Sequence, residues 1–155
     1  MLMLAGIGDK DECGRLVDEA VESGEALKRF EMMVKLQGGD VSYIEDTSKF
    51  RKASFSREVY APADGYITHM DSEKIGLTAV LLGAGREKKD DDINHAAGII
   101  IAAKTGDFVK RGELLATLFA DDESRLDGAE SRYLFAVSIG DKKPAEQPMI
   151  LDYID

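Results

Sequence analysis

The chain reads as an α+β protein, with helices leading and a β-rich unit behind them. Three observations predict this. Residues 9–37 carry apolar positions at helical spacing, and residues 54–155 carry short β-branched and aromatic runs bounded by turn residues. The third is a pair of turn-bearing segments in the second part that share one design. The more informative of the two runs Gly98-Ile-Ile-Ile-Ala-Ala-Lys-Thr-Gly-Asp-Phe-Val-Lys-Arg-Gly-Glu-Leu-Leu-Ala-Thr-Leu118. An apolar run enters a Thr-Gly-Asp turn, passes through Val-Lys-Arg-Gly, and leaves as a second apolar run. Gly106 and Gly112 supply backbone angles that residues with a Cβ resist. Upstream, Val59-Tyr-Ala-Pro-Ala-Asp-Gly-Tyr-Ile67 does the same, with Pro62 and Gly65 bracketing the turn.

In the leading part, Asp9 or Asp11 is placed to cap a first helix, and Leu16, Val17, Ala20 and Val21 make one apolar stripe on it. Ser23-Gly24 interrupts. Ala26, Leu27, Phe30, Met33 and Val34 make a second stripe, which Gly38-Gly39 ends. Met32 and Met33 are expected as one buried and one partly exposed residue of an amphipathic pair, not as a cofactor pocket. Residues 1–39 are thus one helical region. Residues 40–53, polar with anchors at Val41, Tyr43, Ile44 and Phe50, read as a short helix and a linker.

Residues 54–155 form the second region. Strands are expected near 55–61, 65–70, 98–104, 114–119, 134–139 and 149–154. One helix starts at Asp71 or Ser72, buries Ile75, Ala79 and Leu82, and stops at Gly83. Another follows Asp121-Asp122-Glu123 and carries Leu126, Ala129 and Tyr133. Acidic residues in a first turn favour the helix dipole, so that cluster needs no metal to explain it.

The two turn-bearing halves resemble those of a biotinyl- or lipoyl-type carrier domain, which implies a flattened barrel-sandwich core. Such carriers present a modified lysine at a hairpin tip between the halves. Here the interval 71–97 holds a helix and a Gly-Ala-Gly-Arg loop instead, and Lys74, Lys88 and Lys89 lack the expected flanking residues. The shape is shared and the prosthetic chemistry is not.

Composition excludes several partners. The net charge is −10, from 30 acidic and 20 basic residues, and the basic residues form no block longer than Lys110-Arg111 or Lys142-Lys143. A nucleic-acid binder gathers cations to neutralise phosphates. Nucleic acid and anionic membrane are therefore not expected partners. One cysteine, Cys13, rules out an internal disulfide framework and a cysteine-rich zinc site, and it is expected as a small, half-buried helix residue. The apolar start, residues 1–8, has no basic flank and is too short to span a bilayer, so the expected location is the cytoplasm.

Gly83-Ala84-Gly85-Arg86 is a compact glycine motif, but it lacks the third glycine of a dinucleotide fingerprint and follows a helix. The glycines suit a helix end and tight turn. Arg86 has two readings of equal weight: a surface cation, or a guanidinium presented by a glycine-bounded loop to a carboxylate or other anion. Asp90-Asp91-Asp92 diverge as consecutive side chains and read as a solvated turn instead of a hard-cation site. His69 and His95 show no zinc-type spacing and are expected as surface histidines. No nucleophile elbow or paired carboxylates stand out, so catalytic and metal-ligating residues are assigned to none.

Several motifs in order carry a further resemblance. They are Gly24-x-Ala26-Leu27-x-x-Phe30, Gln37-Gly38-Gly39-Asp40, Ala61-Pro62-x-x-Gly65-Tyr66-Ile67, Ile75-Gly76-x-x-Ala79-x-Leu81-Leu82-Gly83-Ala84-Gly85-Arg86, Gly98-Ile99 and Gly106-Asp107-x-Val109-x-x-Gly112. Together they resemble the C-terminal part of pyrimidine-nucleoside phosphorylases, the thymidine phosphorylase family, over nearly the whole chain. The resemblance implies two-domain homodimers that cleave thymidine, deoxyuridine or uridine with inorganic phosphate, releasing the base and a pentose 1-phosphate, with no cofactor. It implies that the phosphate- and pyrimidine-binding segments lie in an N-terminal α domain outside this sequence. Residues 1–8 then resemble the tail of an internal helix, residues 9–39 the last helices of that α domain, and residues 54–155 the C-terminal α/β domain. Substrate-binding residues are assigned to none, and the chain alone is expected to be inactive. Gly83, Gly85 and Arg86 are the candidates for a loop facing the interdomain cleft. A stand-alone binding or scaffold module on a carrier-like barrel, and a degenerate carrier, stay open as alternatives.

Overall fold

The computed structural model describes residues 1–86 and 88–146. The chain divides into two units, Met1–Arg51 and Lys52–Asp155.

In the first unit, helix α1 spans Lys10–Glu22 and α2 spans Glu25–Leu36. The Asp9 carboxylate accepts the Glu12 amide at 2.9 Å and so caps α1, as the sequence suggested. Gly24, at φ 77°, breaks the two helices apart. A short helix α3 (Ser42–Glu45) and a 3₁₀ turn (Thr47–Lys49) complete the unit. Its apolar stripes stay open. Val17, Val21, Leu27 and Phe30 are exposed, and so are both Met32 (52%) and Met33 (47%), against the expectation that one would be buried. Two helices that meet along a narrow seam leave the rest of each stripe uncovered. Cys13 is more enclosed than expected, with its thiol directed at the Gly8 carbonyl, 3.4 Å away.

The second unit contains β1 (Phe55–Tyr60), β2 (Gly65–Met70), α4 (Ser72–Ala79), β3 (Gly98–Ile101), β4 (Phe108–Val109), β5 (Leu114–Ala120), α5 (Ser124–Ala136) and β6 (Val137–Gly140). They make two three-stranded antiparallel sheets, ordered β1-β5-β3 and β4-β2-β6. Strand β5 is central in the first, and its near-continuous apolar run Leu-Leu-Ala-Thr-Leu-Phe-Ala fits a strand covered on both faces. The two sheets do not join into one closed barrel among the described residues. The α+β class holds.

Both helices of this unit start where acidic residues predict. Asp71 accepts the Lys74 amide at 3.1 Å, and Asp122 accepts the Ser124 amide at 3.0 Å. Leu126, Ala129, Tyr133 and Ala136 are all buried along one face of α5. That spacing keeps the chain helical through Ala136, so the strand expected over 134–139 instead begins at Val137. Strand β3 ends at Ile101 rather than 104, and the two-residue β4 was not anticipated. The strand expected near 149–154 lies outside the described residues. The core unites both sheets and α5, with Val59, Ile67, Leu82, Val109, Leu118 and Tyr133 fully enclosed.

Candidate functional site

The Gly-Ala-Gly-Arg segment sits where α4 runs out. Past Ala79 the helix widens into a π-type turn over Val80–Ala84, in which Gly83 takes φ 106°. A side chain at Gly83 would be strained by that angle, so glycine is what lets the helix reverse here. Gly85 is extended, and its Cβ position lies 2.7 Å from Val80 Cγ2, so a larger residue would push into the turn below. Arg86 follows, exposed on the loop that leaves this turn. Gly83, Gly85 and Arg86 therefore form one continuous feature: two glycines shaping the root and an arginine carried outward.

The far side of the loop is held by Asn94, which sequence reasoning missed. Its backbone N–H donates to the Gly83 carbonyl at 2.9 Å, so the two roots of the loop meet there. Its side-chain Nδ2 donates to Asp121 Oδ2 at 2.7 Å, and its Oδ1 accepts the Ala96 amide at 3.0 Å. Asp121 directly follows β5, and its other oxygen accepts both the amide (2.8 Å) and the hydroxyl (2.9 Å) of Ser54, just before β1. Arg125 on α5 donates to the Leu81 carbonyl at 3.2 Å, satisfying backbone in the widened turn. Only the Asn–His–Ala–Ala–Gly stretch ahead of β3 hinted at this anchor, and nothing in it reveals a partner at position 121.

The other residues considered do not converge. Asp91 accepts the Lys88 amide at 2.8 Å within its own turn. Among the described residues no group of three or more metal-ligating side chains forms. His69 and His95 are exposed. His69 lines a shallow groove with Thr68, Met70, Gly106, Asp107 and Lys143, separate from the residues at the loop root. Lys74 is engaged with Asp71 at 2.8 Å and lies over the Phe135 ring at 4.9 Å, which ties it to the helix surface. No helix among the described residues is long and apolar enough to cross a membrane.

Comparison with known proteins assigns the family. Residues 66–140, from β2 through β6, match the family described as pyrimidine nucleoside phosphorylase C-terminal domain. The chain is 40% identical over 125 residues to the pyrimidine-nucleoside phosphorylase of Bacillus subtilis (strain 168), covering 80% of this chain and 29% of that protein. It is 35% identical over 123 residues to that of Geobacillus stearothermophilus, covering 79% and 28%. With that of Staphylococcus aureus (strain bovine RF122 / ET3-1) it shares 35% over 142 residues, covering 91% and 33%. The chain thus spans about three-tenths of the length of these relatives. The β-rich unit is a member of the pyrimidine-nucleoside phosphorylase C-terminal domain family, and the chain corresponds to the C-terminal portion of those enzymes.

Proposed function

We propose that this chain supplies the C-terminal, cleft-closing domain of an enzyme that phosphorolyses pyrimidine nucleosides. In the reaction an oxygen of inorganic phosphate bonds to the anomeric carbon of thymidine, deoxyuridine or uridine. The glycosidic C–N bond breaks, and the base leaves with the bonding pair, its nitrogen taking up the proton that the hydrogen phosphate gives up. The products are the free base and a pentose 1-phosphate. Phosphate is a co-substrate, and no cofactor is required.

Water competes with phosphate for the anomeric carbon, so the cleft must be closed and the phosphate held in line before the bond breaks. The groups that grip phosphate and pyrimidine are assigned to an N-terminal α domain. Residues 1–39 are its last helices, residues 40–53 the linker, and residues 54–155 the closing jaw, with the two sheets as faces of a barrel-sandwich core. The exposed stripes on α1 and α2 support this reading, because apolar faces of that extent need a covering partner. The complete enzyme is read as a cytoplasmic homodimer. The observation that carries the proposal is the match of residues 66–140 to this family's C-terminal domain.

The loop 83–92 is assigned to the cleft, with Arg86 facing the bound anion. A guanidinium forks to two oxygens at once, so Arg86 adds to the hold that the α domain has on phosphate.

The test is a fusion in which this chain replaces the portion it matches in the Bacillus subtilis enzyme. The chain alone should give no phosphorolysis of thymidine or uridine, and the fusion should turn both over. Turnover at an enzymatic rate by the chain alone overturns the closing-domain reading. A folded fusion without activity favours the stand-alone module.

A further inference from the structure

The polar cluster beneath the loop has a job that the glycines alone cannot do. A loop is free to wander unless both of its roots are fixed, and glycines shape only the near root of this one. Asn94 supplies the second root with every polar group it has. Its N–H goes to Gly83, its carbonyl accepts the Ala97 amide at 3.1 Å, its Oδ1 takes the Ala96 amide, and its Nδ2 reaches Asp121. Asp121 is held in place because it directly follows the central strand of its sheet and also holds Ser54. We infer that Asn94, clamped by Asp121, is a positioning residue that sets where the loop presents Arg86. This rests on the reading of Arg86 as a cleft residue.

The residue type matters. An amide at 94 gives the Asp121 carboxylate a donor, whereas a carboxylate at 94 would face it with like charge. Arg125 lies nearby, but it is engaged with the Leu81 carbonyl and with Asp122 at 3.6 Å. Exchanging the two residue types preserves the pattern. In Asn94→Asp with Asp121→Asn, the amide at 121 accepts from Ser54 through its oxygen and donates to the new carboxylate, which still accepts the Ala96 amide.

The experiment compares Asn94→Asp, Asn94→Ala and the exchanged pair. Hydrogen exchange is read on the 155-residue chain, and phosphorolysis on the fusion enzyme. With Asn94→Asp, exchange at the amides of Asn94, Ala96 and Ala97 should quicken by about tenfold or more, as expected for losing a charge-assisted bond, while the amide of Ser54 keeps its protection. In the fusion, kcat and kcat/KM should fall together by about tenfold with KM little changed, the pattern of an interaction completed after substrate binds. The exchanged pair should restore both readouts. Asn94→Ala removes the bridge without adding charge, and serves where Asn94→Asp fails to fold.

Unchanged exchange in both single variants overturns the clamp and leaves the cleft reading of Arg86 standing. Faster exchange that the pair restores, with phosphorolysis unaffected throughout, overturns the positioning role together with the placement of Arg86 at the cleft. Failure of the pair to restore either readout overturns the specific partnership of positions 94 and 121.

Discussion

Gly65 lies flat against Ile139 of the neighbouring strand: a Cβ on Gly65 would stand 2.7 Å from Ile139 Cγ2 and 2.9 Å from the Gly140 carbonyl oxygen. Strand β2 can sit at the centre of its sheet only because nothing projects there. Its φ of 151° adds a second reason for glycine. Gly65→Ala must both strain the backbone and move a carbonyl that cannot swing aside, and it should destabilise the unit by about 3 kcal/mol. Urea denaturation checks this, with a large fall in midpoint and little change in slope.

Tyr133 is fully buried on α5, and its hydroxyl donates to the Leu115 carbonyl across a long 3.5 Å. Burial pushes the phenol from its ordinary 10.0 up to about 12. The folded state thus holds the proton more tightly than the unfolded chain. The resulting stability is fully present below pH 10 and is lost as pH rises toward 12. Tyr133→Phe should remove this alkaline decline while costing less than about 1 kcal/mol at neutral pH, since the lost hydrogen bond is weak. Tyr133→Ala, which empties the site, should cost about 3–5 kcal/mol. Denaturation midpoints measured against pH separate the two effects.

Acid should act through the aspartates at the two helix starts. A side-chain bond with Lys74, then the Lys74 amide, holds the Asp71 carboxyl below its ordinary 3.8. The Ser124 hydroxyl and then the Ser124 amide do the same for Asp122. Both lowered groups favour the folded state above 3.8, and that contribution drains away as pH falls through their folded values. Asn still caps a helix without titrating. The double variant Asp71→Asn with Asp122→Asn should therefore show a shallower loss of thermal stability on acidification than the parent chain. An identical acid slope would mean that other carboxylates carry the effect.

Much of this was legible because it is local. Asp71 and the Asp121–Glu123 cluster announce helix starts through their own backbone neighbours, and Gly83 announces a stop by the angle it alone tolerates. The strands at 65–70 and 114–119 show in residue types that suit a pleated, buried surface. What stayed hidden depends on partners distant in the chain. Asn94 looks like a loop residue until Asp121 arrives from the end of β5. The run 134–139 is an apolar stretch of strand length, yet the core claims Tyr133 and Ala136 through a helical face begun at Leu126. On α1 and α2 the amphipathic pattern was readable, but a pattern does not say how much of a stripe its nearest neighbour covers, and Met33 ends exposed beside Met32. The glycines of the candidate loop were found from sequence because they are structural. Arg86 was singled out because it follows them.

Arg86 itself is the sharpest test of the cleft assignment. It is exposed, so replacing it should leave the fold alone. Arg86→Ala in the fusion enzyme should lower kcat/KM for uridine and thymidine by about tenfold to a hundredfold, the range expected for losing a charged hydrogen bond to an anion. Arg86→Lys keeps the charge but loses the planar fork, so it should recover part of that loss. The denaturation midpoint should not move in either variant, which separates a role in substrate handling from one in packing. Wild-type kcat and KM in Arg86→Ala would return the residue to the ordinary charged surface.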